Sequence, residues 1–193
     1  MESNKFIGGK VKSIRESRNL TIDEVAERAG VDKVQIERIE DNVEIPSLAP
    51  LIKIARVLGV RLGTFLDDQT ELGPVISRSK DFNDLNTIRF TNDSTVARNH
   101  MEYHSLSQEK AGRHMEPFMI NISASGQNDY TLSSHEGEEF IYVLDGFIEV
   151  SYGKKKYILE KGDSIYYDSI VAHHVRAYND APALIIGVIY TPF

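Results

Sequence analysis

The 193-residue sequence contains no cysteine and no tryptophan. The lack of cysteine excludes disulfide bonds, thiolate metal ligands and cysteine nucleophiles, and it fits a reducing cytoplasm. No apolar run approaches the roughly 18 residues that a membrane-spanning helix needs. The first residues also lack the basic cluster and apolar stretch of a secretory signal. We therefore predict a cytoplasmic protein with no membrane segment.

Basic residues are also fewer than acidic ones. The chain has 22 Lys and Arg against 29 Asp and Glu, a net charge of −7. Residues 1–70 carry 11 basic and 12 acidic side chains, a net charge of −1, and residues 71–193 carry 11 and 17, a net charge of −6. Binding of nucleic acid by the first part would therefore depend on a local basic patch.

Two periodicities divide the chain. Apolar residues recur with a helical period over residues 6–66 and with a strand period over residues 98–191. The pattern predicts an α+β protein with five short helices followed by seven or more antiparallel strands in a sandwich or barrel. The predicted domains are residues 1–68, a linker with an entry strand at 69–98, and residues 99–193.

The second and third predicted helices are joined by a tight turn. Thr21 and Glu24 form a capping-box pattern at the start of the second helix. Gly30 ends that helix and Asp32 can cap the next. Two helices in this arrangement are typical of a helix-turn-helix, in which the second helix enters the major groove of DNA. A small helical bundle that binds nothing has the same spacing, so both interpretations stay open at this point.

Residues 20–31, 36–40, 46–48 and 54–60 together resemble the Xre/lambda-repressor type of helix-turn-helix. The resemblance implies a five-helix DNA-binding domain, a recognition helix over residues 34–40 and double-stranded DNA as partner. Asp32 and Glu37 depart from the family by adding negative charge, which weakens binding to phosphate. Basic side chains can neutralise phosphate and a Gln amide can pair with an adenine edge. The implied contacts are Thr21, Lys33, Gln35 and Arg38.

Three residues in the second part could bind a metal ion. His135 and Glu139 are four positions apart, so an extended chain would place both on one face. His173 lies on a later predicted strand. Two imidazoles and one carboxylate form a set that binds a divalent first-row metal with open coordination positions. Iron, nickel, zinc and manganese all suit these ligands. A histidine taken singly is more often a surface residue, or one whose hydrogen bonds are already satisfied, than a metal ligand.

Residues 133–146 resemble the first cupin motif, and residues 162–168 with His173 resemble the second. The resemblance implies a jelly-roll β-barrel with a metal on its inner face, held by His135, Glu139 and His173. Ser133 stands where many cupins have a further histidine, which leaves three ligands. Ala172 and Ala177 also depart from the second motif.

A ligand pocket is expected beside this set. Tyr103, Phe118 and Tyr142 could line it, and Arg113 or Arg176 could place a cation at the mouth of the barrel. If an arginine faces inward, bidentate pairing favours an anion such as a carboxylate or a phosphonate. Barrel core for the aromatic residues and a solvated surface for the arginines are the alternatives.

The two parts together resemble one-component regulators with a helix-turn-helix domain and a cupin sensor. This resemblance implies a homodimeric transcriptional regulator that responds to a small-molecule effector, a divalent metal or both, and no catalytic residue is assigned. The same order of domains also resembles the iron-dependent hydroxypropylphosphonate epoxidase, which makes an iron-dependent oxidoreductase the alternative. A metal-free binding barrel is a third interpretation.

Overall fold

The computed structural model describes residues 6–43, 46–66, 74–79, 87–89, 101–108, 110, 113–124, 132–179 and 181–192. Its first part contains the five expected helices, which are α1 (Phe6–Ser17), α2 (Ile22–Ala29), α3 (Lys33–Glu40), α4 (Leu48–Val57) and α5 (Leu62–Leu66). Its second part contains the strands β1 (Thr87–Arg89), β2 (Met101–Ser105), β3 (Met115–Ile122), β4 (Glu138–Asp145), β5 (Phe147–Tyr152), β6 (Lys155–Glu160), β7 (Ser164–Asp168), β8 (His173–Ala177) and β9 (Ala183–Tyr190). The expected α+β class is confirmed.

Local sequence signals determine the ends of α2 and α3. The backbone N–H of Glu24 donates to the Thr21 hydroxyl, and the Glu24 carboxylate accepts from the backbone N–H of Thr21, so the predicted capping box is present. Gly30 ends α2 in the left-handed conformation at φ 59°. The Asp32 carboxylate accepts from two backbone N–H groups in the first turn of α3. Capping interactions therefore fix both ends of the turn between α2 and α3.

Helix α3 is held against α1 by close packing and by a buried ion pair. A Cβ added to Gly8 would lie 1.9 Å from the carbonyl oxygen of Ile39, so only glycine allows this approach. Arg15 donates from Nε and Nη2 to the Glu40 carboxylate at 2.6 and 2.8 Å, and both side chains are buried. A bidentate pair of this kind restricts the orientation of the two helices.

The strands form two antiparallel sheets. One has the order β1-β2-β3-β9-β4-β7, and the other has the order β6-β5-β8. Side chains of β9 alternate between buried and half-buried positions, as expected for a strand with one face on the core. This arrangement confirms an all-β region of the expected cupin type. Strand β1 lies in the predicted linker of residues 69–98, of which only 74–79 and 87–89 are among the described residues.

No helix in the described part of the chain is both long enough and apolar enough to span a lipid bilayer.

Candidate metal centre and nucleic-acid interface

The side chains of His135, Glu139 and His173 converge. Each offers one ligand atom, and these atoms all lie within 4.8 Å of one another. His135 Nε2 lies 2.8 Å and His173 Nε2 lies 3.2 Å from the same oxygen, Glu139 Oε1. Both histidines are almost completely buried, at 4% and 3% exposure. The structure therefore brings together the three residues that the sequence suggested as ligands.

His135 reaches the cluster through a turn. It lies before β4, which starts at Glu138, so it is not part of an extended strand with Glu139 as the spacing suggested. Gly137 makes the turn at φ 101°, and a Cβ on it would lie 2.0 Å from the carbonyl oxygen of Tyr190. The backbone N–H of His135 donates to the carbonyl of Ser169 at 3.0 Å, which anchors the turn to the end of β7.

Backbone carbonyls determine the tautomer of both histidines. His135 Nδ1 lies 3.0 Å from the Glu136 carbonyl, and His173 Nδ1 lies 2.8 Å from the Val171 carbonyl. Because a carbonyl only accepts hydrogen bonds, Nδ1 carries the proton in each ring. In the neutral rings, Nε2 then has a lone pair directed at Glu139. Metal-binding histidines have this same arrangement, with the second nitrogen donating to a carbonyl.

The resulting donor set fits a divalent metal ion. Two imidazole lone pairs and an ionised carboxylate oxygen are all acceptors, so these three side chains could hold a cation between them. Protons could bridge these acceptors only if both imidazoles became charged. The two charged rings would then repel each other, because their centroids are just 5.4 Å apart. One dication satisfies all three acceptors without that repulsion. His135, Glu139 and His173 would hold it, and the three ligands would leave open coordination positions.

Tyr167 fixes the other oxygen of the carboxylate. Its hydroxyl donates to Glu139 Oε2 at 2.6 Å, and the ring itself is buried. Burial raises the pKa of Tyr167, and the neighbouring Glu139 charge and hydrogen bond raise it further. Burial also raises the pKa of Glu139, but the hydrogen bonds and charge that His135 and His173 supply when Nε2 is protonated lower it by more, so this pKa lies well below its ordinary value. The carboxylate is therefore ionised and ready to bind a cation.

The cluster lies in a cavity of about 90 Å³. Strands β2, β3, β4, β8 and β9 supply its apolar walls, which include Met101, Tyr103, Ile120, Phe140, Val175 and Ile185. The remaining wall comes from the helical part of the chain, where Ser47, Leu48 and Ala49 line the same cavity. The start of helix α4 therefore forms part of the wall of this cavity.

Further contacts join the two parts of the chain around this cavity. Arg56 on α4 forms an ion pair with Glu136, whose own carbonyl accepts from His135. Gly63 on α5 packs against the Arg113–Glu116 pair, and a Cβ added there would lie 2.7 Å from Glu116 Oε1. The helices are thus in direct contact with the loop that carries a candidate metal ligand.

The aromatic residues suggested for the pocket have different locations. Tyr103 lines the cavity. Phe118 is fully buried and lies outside the cavity lining, where its ring meets the Tyr103 ring edge to face with centroids 5.6 Å apart. Tyr142 is 38% exposed and lies outside the cavity lining. The structure therefore brings one of the three suggested aromatic residues to the cavity.

Both suggested arginines lie outside the cavity lining, because carboxylates elsewhere engage them. Arg113 Nε donates to Glu116 at 2.8 Å. Arg176 Nε donates to Glu149 at 2.9 Å, and Lys156 binds the same carboxylate oxygen at 3.0 Å. Burial raises the pKa of Glu149, and the hydrogen bonds from Arg176 and Lys156 lower it by more. Neither arginine supplies a cation to the cavity.

The residues suggested for DNA contact lie along α2 and α3. The Thr21 side chain caps α2. Lys33 at the start of α3 is exposed and forms an ion pair with Asp23 at 2.7 Å, which raises the pKa of Lys33. Gln35 and Arg38 are half-buried on α3. Val34, the residue after Lys33, is also exposed, at 57%.

Sequence reasoning missed two parts of the site. Tyr167 was included only in the cupin-like motif of residues 162–168, although its alternation with Tyr166 after Gly162 could have placed its ring inside. Ser47 and Leu48 were included only in the resemblance to the helix-turn-helix family, and Ala49 was given no role. Nothing local to those residues predicts that the helix packs onto the barrel, since that contact depends on the arrangement of the two domains.

Comparisons with known proteins agree with this two-part structure. A family model described as a helix-turn-helix matches residues 11–65, and one described as a cupin domain matches residues 122–189. The HTH-type transcriptional regulator SutR of Escherichia coli is 23% identical over 172 residues, which cover 89% of this chain and 87% of SutR.

Solved structures share the whole fold. An HTH_3 family transcriptional regulator from Vibrio cholerae has a TM-score of 0.72 at 24% identity and covers 99% of this chain and 98% of its own. Hydroxypropylphosphonic acid epoxidase from S. wedmorenis has a TM-score of 0.51 at 21% identity and covers 97% of this chain and 98% of its own. At these identities the likeness concerns the fold. The family matches show that the chain has a helix-turn-helix domain over residues 11–65 followed by a cupin domain over residues 122–189.

Proposed function

We propose that the chain is a DNA-binding transcriptional regulator of the cytoplasm whose cupin domain binds a divalent metal ion and a small-molecule effector. The observation that carries the proposal is the shared wall of the cavity. Helix α4 belongs to the helix-turn-helix domain, and its first residues, Ser47 to Ala49, line the cavity that contains His135, Glu139 and His173. A change in the occupancy of the cavity therefore acts directly on the helical domain.

The helical domain supports the first half of the proposal. Helix α2 packs against both α3 and α4. The proposed contacts with double-stranded DNA are made by Thr21, Lys33, Gln35 and Arg38, with α3 in the major groove. SutR carries the name of an HTH-type transcriptional regulator, and its similarity to this chain extends through both domains.

The cupin domain supports the second half. The metal would be iron, nickel, zinc or manganese, all of which accept imidazole and carboxylate ligands. An effector gains control of DNA binding only if it has different affinities for two arrangements of the protein. We propose a homodimer in which those arrangements differ in the spacing of the two α3 helices, since two half-sites about 34 Å apart must be read together.

Salt-dependent DNA binding tests this function. The full chain, stripped of metal and then loaded with zinc, is titrated against labelled fragments of its source genome at several salt concentrations. We expect sites whose affinity falls steeply with salt and changes on metal loading. A triple alanine variant of Lys33, Gln35 and Arg38 should lose that affinity and keep its metal. If no fragment shows salt-dependent binding, the chain is not a DNA-binding regulator.

A second candidate function is that of a mononuclear iron oxygenase acting on a small anionic substrate. One observation favours it, namely a three-ligand site with open positions in a fold that the epoxidase shares over 97% of this chain. An iron ion at such a site would supply dioxygen chemistry. Dioxygen uptake by the iron-loaded chain with small phosphonates would support this function, and uptake no faster than that of a Glu139→Ala variant would exclude it.

A further inference from the structure

The six-stranded sheet has a second face, which is turned away from the cavity. On β9, Ile185 and Gly187 line the cavity and are buried, so Ile186, which lies between them, points the other way. Residues that are directly paired in an antiparallel sheet share a face. Met119 on β3 and Tyr142 on β4 are the direct partners of Ile186, so all three belong to this second face.

Large apolar side chains cover this second face. Met115 and Tyr190 are direct partners on β3 and β9, and Tyr166 on β7 alternates with the buried Tyr167. The exposed fractions are 59% for Met115, 38% for Tyr142, 63% for Tyr166 and 38% for Tyr190, and these are all the large apolar side chains that are exposed on β2, β3, β4, β7 and β9. We use the name outer face for the surface formed by Met115, Met119, Tyr142, Tyr166, Ile186 and Tyr190.

Polar residues border the outer face. Glu138 and Asp168 are direct partners on β4 and β7, and the Glu138 carboxylate accepts a hydrogen bond from the Tyr166 hydroxyl. Ser164 is the direct partner of Tyr142 on the edge strand β7. An apolar centre that is rich in tyrosine and methionine and has a polar rim is the composition of a protein–protein interface. A contiguous apolar surface of this kind commonly marks an interaction site.

The outer face is large enough for a stable dimer. Its four strands lie side by side in the order β3-β9-β4-β7, and β3, β4 and β9 are each eight residues long. At a strand spacing of about 4.8 Å and a rise of about 3.3 Å per residue, the face measures about 19 by 26 Å, or roughly 500 Å² in plan. Two such faces together supply about 1,000 Å², which is the area that a specific interface needs.

Charge and symmetry favour a second copy of the chain as the occupant. Residues 71–193 have a net charge of −6, and the rim contains Glu138 and Asp168, so nucleic acid and anionic lipid surfaces are repelled. Among the described elements, the extensive contacts of β3, β4, β7 and β9 are with strands of the same sheet. A twofold dimer uses the same surface on both copies, and two sheet faces pack well on each other.

We propose that the outer face binds the outer face of a second copy of the chain about a twofold axis. The inference rests on the proposed homodimer and specifies the surface that forms it. Strands β4 and β9 then have the cavity on one side and the partner on the other, since Glu139 faces the cavity and Tyr142 faces the partner. A single layer of sheet separates the candidate metal centre from the dimer interface.

Sedimentation of the full chain at micromolar concentrations tests this interface. The unmodified chain should be a dimer that dissociates on dilution. Tyr142→Glu places a charge within each apolar face and should raise the dissociation constant of the dimer by about thirtyfold or more, as expected for loss of a central interface tyrosine. Tyr157→Glu is the matched control, because Tyr157 is similarly exposed, at 40%, on β6 of the other sheet. It should leave the dissociation constant unchanged.

Cross-linking locates the interface without weakening it. The chain contains no cysteine, so one introduced cysteine is the only thiol. Central residues of a twofold interface lie close to the same residues of the partner. Tyr142→Cys should therefore give covalent dimers with a short bismaleimide in dilute solution, and Tyr157→Cys should not. This comparison decides the matter even if Tyr142→Glu fails to fold.

The outcomes separate this interface from the rest of the proposed function. If the unmodified chain is a monomer, the interface and the homodimer are both excluded, and DNA binding is decided by its own titration. If the chain is a dimer but folded Tyr142→Glu dissociates no more readily than Tyr157→Glu, the copies meet elsewhere. Equal cross-linking of Tyr142→Cys and Tyr157→Cys has the same meaning. The outer face is then excluded and the homodimer stands.

Discussion

Arg56 on helix α4 forms an ion pair with Glu136, the residue next to the candidate metal ligand His135. The carbonyl of Glu136 accepts from His135 Nδ1, so Glu136 contacts both the candidate metal ligand and the helical domain. Both charged side chains are partly exposed, and such pairs contribute at most about 1 kcal/mol to stability. This pair matters because it connects the helical domain to the loop that carries His135.

Glu136→Gln should therefore weaken the coupling between metal and DNA and leave the fold intact. We expect the ratio of DNA affinities with and without zinc to fall by up to about fivefold, the equivalent of 1 kcal/mol. Fluorescence anisotropy with a labelled site measures both affinities. Glu138→Gln is the matched control, because the exposed Glu138 carboxylate binds Tyr166 on the neighbouring strand β7 and not the helical domain. An unchanged ratio in Glu136→Gln would show that the pair does not transmit the signal.

Two adjacent glycines in α1 should respond oppositely to the same substitution. Gly8→Ala places a methyl group 1.9 Å from the Ile39 carbonyl oxygen and should destabilise the helical domain by about 2 kcal/mol or more. Gly9 has no atom within 4 Å of the added methyl group, so Gly9→Ala should stabilise it by about 0.5–1 kcal/mol. Urea unfolding followed by circular dichroism gives both values. Equal effects would contradict the close contact between α1 and α3.

Tyr167→Phe removes the hydrogen bond to Glu139 and keeps the buried ring. Partners of metal ligands commonly contribute tenfold or more to affinity, so zinc affinity should fall about tenfold. Competition with a chromophoric chelator measures it. Tyr152→Phe is the control, because its hydroxyl donates to the Asp168 carbonyl and not to a ligand. If both variants bind zinc as the unmodified chain does, Tyr167 does not position Glu139.

Asp23→Asn should strengthen DNA binding by releasing Lys33. The pair between them joins α2 to the first residue of α3, where Lys33 is proposed to meet phosphate. Without it, the slope of log affinity against log salt should steepen by about one unit. Glu27→Gln removes the same charge from an exposed position on α2 and should leave the slope unchanged. If Asp23→Asn has the same slope as the unmodified chain, Lys33 does not contact DNA.

The helical domain was predictable because its signals are local. The capping box of Thr21 and Glu24 and the left-handed Gly30 appear in the structure as expected. The strands were predictable for a similar reason, since alternation and turn residues delimit them; β5 at Phe147–Tyr152, for example, lies between Gly146 and Gly153. Short-range sequence patterns were sufficient for both.

Features that depend on distant residues were not predictable. Arg176 could have faced the cavity, but Glu149, 27 positions earlier, binds it on the neighbouring strand. His135 was expected in an extended strand and instead reaches Glu139 through the turn at Gly137. The contribution of Ser47 to the cavity follows from packing between domains, which no pattern within either domain encodes.

Metal content of the purified chain tests the central claim most directly. The protein is purified without chelators, supplied with iron, nickel, zinc or manganese, dialysed and measured by elemental analysis beside a His135→Ala, Glu139→Ala, His173→Ala triple variant. We predict one metal ion per chain in the unmodified protein and none in the folded variant. A folded, unmodified chain that retains none of the four metals would contradict the account.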